Sequence, residues 1–440
     1  MKKHICFVAL LVILPFLLTG QDRLQLETMA RNFLDHFLNK DMDKMEQMLG
    51  NQFLDAIPEG QLKEIANGLE NQLGAFSHIT RVEFTESPPY QVVTLVSKFG
   101  HREWGVFLTF DKELKIQGFL INVAPPENFT PPPAYADSTL FTEIAMDLNI
   151  NGISLPAMLT MPNNRTEVPA VVLVHGSGAH NKDQTVGPNK IFRDIAHGLA
   201  TNGIAVFRYE KRSLRHHNTL DRENFTAWDE TGHDAVEAIS MVGSLPGIDP
   251  NRIYLAGHSL GGVMAPRIAL QAPQLAGIIS LAGSPRYLYE LIPDQFAYIA
   301  NFRKDTTQMM SDMIAETLES VERLTNKRGN PNAVYESRLM GLPPSYWRDI
   351  NQHDVGAIAA TLPQRILIIQ GGRDYQVTLT DYQAWKKALA RHPDATFHLL
   401  EDLDHLFFSG QGPSNPDSYF EENNVDKKII DVIREWLDNK

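Results

Sequence analysis

From about Phe141 onward the sequence keeps to one alternation: a short apolar run, then an amphipathic helical stretch. The apolar runs are AVVLVHGSG, IAVFRY, RIYLAG, AGIISLAGS, RILIIQGG and TFHLLED. Helical stretches include one carrying Phe192, Ile195, Ala196 and Leu199, another from Asp229 to Val242, and a last one aligning Val425, Ile429, Ile433 and Trp436. A strand that is apolar at every position has no face for water, so both faces of its sheet must be covered. Helices interleaved with the strands provide that cover. The pattern predicts a mostly parallel sheet flanked by helices, an α/β fold. Such sheets bind their ligands at the carboxyl ends of the strands, so the residues just after each run are the ones to examine.

The preceding segment reads differently. Residues 23 to 40 place Leu26, Met29, Ala30, Phe33 and Phe37 on one helical face, and helical pattern continues to about Leu73. Three β-rich runs follow: QVVTLVSKF, REWGVFLTF and KIQGFLINV. In the second, Trp104, Val106, Leu108 and Phe110 share a face, and Asp111-Lys112 supplies the turn into the third. Helices followed by a meander predict a small α+β domain over residues 23–124, with nothing catalytic in it. The run APPENFTPPPAYADS holds five prolines, so residues 125–140 are expected to be an extended linker, with the α/β domain at 141–440.

The first twenty residues have a basic start, Met1-Lys2-Lys3, and an apolar stretch from Ile5 to Leu18. That stretch is short for a bilayer span and reads as a signal peptide over 1–20, the alternative being an uncleaved anchor. Either way the body of the protein is expected to be exported, periplasmic or extracellular, touching membrane only through an uncleaved signal. The one cysteine, Cys6, lies inside this leader, so the mature chain has no disulfide, thiolate metal site or cysteine nucleophile. A net charge of −13 argues against nucleic acid and anionic membrane surfaces, which select for basic proteins.

After RIYLA comes Gly257-His258-Ser259-Leu260-Gly261, a G-x-S-x-G pattern between a predicted strand and a predicted helix. A sharp turn there tolerates little bulk at 257 and 261, and it lifts the serine hydroxyl clear of the sheet at a helix amino end. A structural turn would not need serine at its apex. Serine becomes a nucleophile only when a base takes its proton. In sheets with this turn the chain order is serine, acid, histidine. Asp374 follows RILIIQGGR, and His405 follows TFHLLEDLD one strand later. Asp374 is expected to orient His405, and His405 to deprotonate Ser259. Asp402 and Asp404 are rival acids, but Asp374 follows the strand before the one that leads to the histidine. His258 is read as a packing residue, His398 as a strand residue, and His216 with His217 as a solvated loop. Backbone N–H groups of Leu260 and of Ser177, in the His175-Gly176-Ser177-Gly178 loop, are the expected oxyanion donors.

GHSLGG, HGSG, GGRD and DH, in this order, resemble the α/β-hydrolase family over residues 141 to 440. More narrowly, VHGSG, GPNKIFRDIAHGLA, FRYEKRS and QGGRDYQVT are similar to bacterial exported esterase-like hydrolases, which often carry an N-terminal domain of unknown function. The resemblance implies an α/β-hydrolase fold and serine hydrolysis of esters without metal or organic cofactor, with nucleophile, acid and base on Ser259, Asp374 and His405. Two departures bear on substrate choice: Glu210 where relatives commonly have aspartate, and AHNKD after HGSG where relatives tend to have a proline and DRD.

Some eighty residues separate AGIISLAGS from RILIIQ, too many for one crossover helix. Residues 286–360 are expected to form a helical lid, rich in aromatics and methionines such as Tyr287, Phe296, Tyr298, Met310 and Met313. Tyr346 and Trp347 are the expected pocket wall. The sequence predicts a carboxylesterase acting on small-molecule esters. A peptidase, amidase or thioesterase using the same residues is the enzymatic alternative, and a non-catalytic binding module the other.

Overall fold

The structure, a computed structural model, describes residues 20–439 apart from 58, 59, 88, 217, 218, 222, 305, 307, 331, 332, 336–338 and 340. The signal expected at 1–20 lies outside these residues except for Gly20, and so does His217. The chain divides into two compact units, the first ending at Pro126 and the second running from Glu127 to Lys440.

The first unit begins with four helices, α1 (Gly20–Leu38), α2 (Met42–Glu46), α3 (Asn51–Ala56) and α4 (Gln61–Leu73). A consecutive antiparallel sheet follows: β1 (Phe76–Ser87), β2 (Tyr90–Phe99), β3 (Arg102–Phe110) and β4 (Ile116–Val123). The predicted stripe of α1, including Leu26, Ala30, Phe33 and Phe37, packs against Val93, Leu95, Val106 and Leu108 of the central strands. β1 is absent from the sequence reading for a physical reason. Its register shifts between Phe76 and His78, and again between Ile79 and Arg81. Those irregularities break the two-residue period by which a strand is recognised.

The second unit is built on an eight-stranded sheet in the order β14-β13-β12-β11-β7-β10-β6-β5. An antiparallel hairpin, β5 (Phe141–Ile150) with β6 (Ile153–Pro162), forms one edge, and β6 also runs antiparallel to β10 (Ala205–Tyr209). The other strands are parallel: β7 (Val168–Val174), β11 (Ile248–His258), β12 (Gly277–Leu281), β13 (Arg365–Gly371) and β14 (Ala395–Leu400). A small ribbon, β8 (Thr185–Val186) with β9 (Asn189–Lys190), precedes α5 (Ile191–Thr201). After β10 come α6 (Arg212–Arg215), a π-helical turn (Trp228–Gly232) and α7 (His233–Gly243); α8 (Leu260–Gln271) follows β11. The hairpin was not foreseen, because β5 is largely exposed and the run Ile144-Ala145-Met146 breaks the alternation by which a strand is recognised.

β7 shows why the apolar runs needed cover on both sides. Ala170, Val172 and Val174 enter the core on one face of the sheet, and Val171 and Leu173 enter the core on the other. The closing helix α14 (Lys427–Asp438) seals the second face with Ile429, Ile433 and Trp436. Between β12 and β13 the insert forms α9 (Leu288–Arg303), α10 (Gln308–Thr325), α11 (Pro344–Asn351) and α12 (Val355–Ala360), in the place where a lid was expected. Between β13 and β14 lies α13 (Leu379–Ala388).

The proline-rich segment is not a free spacer along its length. Thr130 donates its hydroxyl to Asn189 Oδ1 (2.6 Å), and Arg193 donates to the Thr130 and Pro131 carbonyls (2.8 and 3.1 Å). Proline lacks an N–H but keeps an accepting carbonyl, and the Pro131 carbonyl is one of these anchor points.

Candidate active site

β11 runs through the middle of the sheet between β7 and β12 and ends at His258. Ser259 then turns the chain with φ 53° and ψ −116°, a conformation that costs about 1–3 kcal/mol in a residue with a Cβ. The neighbours hold it there. Its N–H donates to the Leu281 carbonyl at the end of β12 (2.9 Å), and its carbonyl accepts from Val263 in the first turn of α8 (3.0 Å). The flanking glycines are sterically required. A Cβ at 257 would sit 2.1 Å from the Gly261 oxygen, and one at 261 would sit 2.2 Å from the Val174 oxygen.

Asp374 and His405 meet. Asp374 Oδ2 lies 2.8 Å from His405 Nδ1 and accepts from Gln370 Nε2 (3.1 Å). Its Oδ1 accepts from the backbone of Gln376 (2.8 Å) and Val377 (2.9 Å). Every donor comes from the loop after β13 or from the end of β13 itself, so the carboxylate plane is set before the imidazole arrives. His405 is buried at 3% exposure. With Nδ1–H donated to Asp374, the lone pair is on Nε2, the tautomer a general base needs. The rival carboxylates are otherwise engaged: Asp402 binds Lys428 Nζ (2.6 Å), and Asp404 Oδ1 accepts from the Leu406 and Phe408 backbones (2.9 and 3.0 Å). Among the described residues no hydrogen bond joins the Ser259 hydroxyl to His405.

His258 does more than pack, and here the sequence reading falls short. Its Nδ1 accepts from Gln184 Nε2 (2.7 Å), and its Nε2 donates to the His405 carbonyl (2.8 Å). The Gln184 oxygen in turn accepts from the Gly176 N–H (2.9 Å). One chain of bonds thus runs from the HGSG loop, through the residue before Ser259, to the backbone of the proposed base. Burial holds the His258 imidazole down at about 3, with His405 nearby acting in the same direction, so the ring stays neutral. Nothing local in the sequence marks Gln184; it lies ten residues past the apolar strand, just before a small ribbon.

Gly176 packs directly beside the serine: a Cβ built on it would lie 3.3 Å from Ser259 Cβ. The next N–H, that of Ser177, and the Leu260 N–H at the start of α8 have no hydrogen-bond partner among the described residues. A free N–H is expected at a helix amino end, as at Leu260, and these two N–H groups are the ones expected from the sequence as oxyanion donors.

Tyr346 and Trp347, the expected pocket wall, are core residues in the structure, each at 1% exposure. Tyr346 packs edge-on against Phe225 and Trp347, and its hydroxyl meets Glu230 Oε2 (3.1 Å). Trp347 packs against Tyr289. α11 lies within the segment expected to be helical, and its two rings seat the insert. Glu230 and its partner Lys211 were also missed, although Lys211 stands just after β10, where sheets of this kind place functional groups.

Comparison with known proteins agrees with the two-unit division. Residues 30–119 match a family described as a protein of unknown function (DUF3887), and residues 171–422 match the family described as alpha/beta hydrolase. Over 405 residues the chain is 34% identical to Esterase EstD of Thermotoga maritima, covering 92% of this chain and 93% of that protein. Among solved structures, Est1E from Butyrivibrio proteoclasticus is 15% identical, with a TM-score of 0.42, covering 67% of this chain and 97% of that one. A putative dipeptidyl aminopeptidase IV from Bacteroides ovatus is 17% identical, with a TM-score of 0.44, covering 82% of this chain and 43% of that one.

Proposed function

Because the chain belongs to the alpha/beta hydrolase family, we propose that it hydrolyses carboxylic esters of small molecules through an acyl-enzyme on Ser259. One observation carries the assignment of roles: a strained serine at the apex of a strand–helix turn, in a site whose buried histidine is already oriented by a carboxylate at 2.8 Å. Identity to an esterase along nearly the whole chain supports the ester as the bond cleaved.

The mechanism follows from the groups present. His405 Nε2 accepts the Ser259 proton as Oγ bonds the acyl carbon, and the carbonyl electrons move onto oxygen. The N–H groups of Ser177 and Leu260 receive that oxyanion. When the oxyanion collapses, the ester C–O bond breaks and the departing alkoxide takes the proton from His405. Water then repeats the sequence on the acyl-enzyme, returning the serine and releasing the acid. Asp374 keeps the imidazole in its tautomer and faces its charge while it carries the proton. The Ser259–His405 hydrogen bond forms when substrate is bound, as catalytic contacts commonly do.

This reading predicts a burst of p-nitrophenol from p-nitrophenyl butyrate and covalent labelling of Ser259 by a fluorophosphonate. Ser259→Ala should abolish labelling and lower kcat by about 10³-fold or more. Hydrolysis at the wild-type rate in that variant would refute the assignment. The leader at residues 1–20 supports export of the mature chain, to be read from the N-terminal sequence of protein recovered outside the cytoplasm.

A further inference from the structure

A buried ammonium lies beside the loop that is to hold the oxyanion. Lys211, one residue past the Glu210 that follows β10, is 2% exposed. Its Nζ donates to the Gly176 carbonyl (2.8 Å) and to Glu230 Oε1 (2.6 Å). Its backbone N–H donates to the His180 carbonyl (3.0 Å). A single residue therefore holds the 176–180 loop at both ends. Within that loop the His180 ring donates Nε2–H to the Ser177 carbonyl (2.8 Å). The second oxygen of Glu230 accepts from Tyr346 on α11 (3.1 Å), so the network continues into the insert.

The Gly176 carbonyl and the Ser177 N–H belong to the same peptide group. In a trans peptide they point in opposite directions. A cation fixed on the oxygen sets where the N–H points, and it draws electron density toward that oxygen, which makes the N–H a stronger donor. Stability alone does not account for this arrangement. A lysine and a glutamate buried at 2% and 6% exposure lose their hydration, and an apolar pair of similar volume commonly serves a fold as well or better. Glu230 also sits in the π-helical turn Trp228–Gly232, an irregularity frequent at functional sites, because the extra residue re-aims side chains.

We propose that Lys211, supported by Glu230 and Tyr346, is a positioning residue for ester hydrolysis: it aims and polarises the Gly176–Ser177 peptide so that the Ser177 N–H meets the oxyanion. This rests on the reading above, in which Ser177 contributes to the oxyanion hole. It assigns Tyr346 a role in catalysis transmitted through the core, with no contact to substrate. It also predicts that the rate constant, and not substrate binding, senses the network, because the oxyanion exists only in the transition state and intermediates.

The test separates folding from rate. Lys211→Met alone strands the Glu230 charge, so the informative variant is Lys211→Met with Glu230→Gln, which leaves a neutral, filled site. With p-nitrophenyl butyrate the double variant should keep its melting temperature within a few degrees and KM within about two-fold, while kcat falls about 10-fold or more; outright loss of an oxyanion donor costs about 10²–10³. Its rate of fluorophosphonate labelling should fall in parallel, since phosphonylation builds charge on an oxygen in the same hole. A folded double variant with kcat within about two-fold of wild type, or with its whole loss in KM, overturns the inference. Tyr346→Phe removes one buried hydroxyl without opening a cavity, and should lower kcat about three-fold at unchanged KM; wild-type kcat there overturns the link to the insert. A wild-type chain without Ser259-dependent hydrolysis overturns the underlying reading and this inference with it. An active wild type beside an equally active double variant overturns the inference alone.

Discussion

At the scale of single residues, the site is shaped by what surrounds each ionisable group. Asp404, next to the proposed base, shows this most clearly. Burial pushes its carboxyl up to about 6, and the charge of Asp374 acts the same way, while two backbone N–H groups pull it down. The sign of the consequence is fixed. A carboxyl with a folded-state pKa above its ordinary value of 3.8 binds its proton more tightly in the folded chain. Between about pH 4 and 6 the folded state then holds more protons than the unfolded one, and stability declines as pH rises through that window. Asp404→Asn keeps an acceptor for the Leu406 and Phe408 N–H groups but cannot ionise. Melting temperatures recorded across pH 4 to 7 should therefore lose this downward component in the variant. A variant whose profile over that range parallels the wild type would show that Asp404 is not the group responsible. The sequence identified this residue only as a rival to Asp374; its work as a cap on the turn beyond His405 needed coordinates.

At the scale of elements, the proposed catalytic groups ride on three separate loops, and the bonds between those loops are what bring them into register. Gln184 and His258 supply one such tie, joining the HGSG loop, the end of β11 and the loop after β14. Gln184→Leu would leave the Gly176 N–H and His258 Nδ1 without partners in a buried place, at about 1–3 kcal/mol for each orphaned group. Scanning calorimetry should show the melting temperature lowered by several degrees, with kcat reduced because the donor loop and the base are no longer tied together. A shift of less than about 1 °C would mean that water or a neighbouring group replaces the tie. Elements with a clean period were legible beforehand: α1, α5, α14 and the parallel strands all match a stripe or an apolar run. β1 was not, since its bulges scramble the alternation, and β5 was not, since Ile144-Ala145-Met146 interrupts its alternation.

For the whole molecule, the two units have separate hydrophobic cores, and every proposed catalytic group lies in the second. A chain beginning at Glu127 is therefore expected to fold and to hydrolyse p-nitrophenyl butyrate with kcat within about three-fold of the full chain, as an autonomous core allows. Loss of activity in a truncated chain with native circular dichroism would assign the first unit a part in catalysis. What the sequence determined by itself is what local rules encode. Side-chain period distinguishes a covered parallel sheet from a one-sided meander. The steric limits of a strand–helix turn demand glycine at 257 and 261 around Ser259, and the order of loops along the sheet selects Asp374 and His405. What only the tertiary structure decided is the set of buried polar partners: Gln184 with His258, 74 residues apart, His258 with His405, 147 apart, and Lys211 with Gly176, 35 apart. A polar side chain in a sequence reads as a surface residue, since water is its default partner. Only folding, by removing the water, turns such residues into obligatory hydrogen-bond partners and decides which loops they hold together.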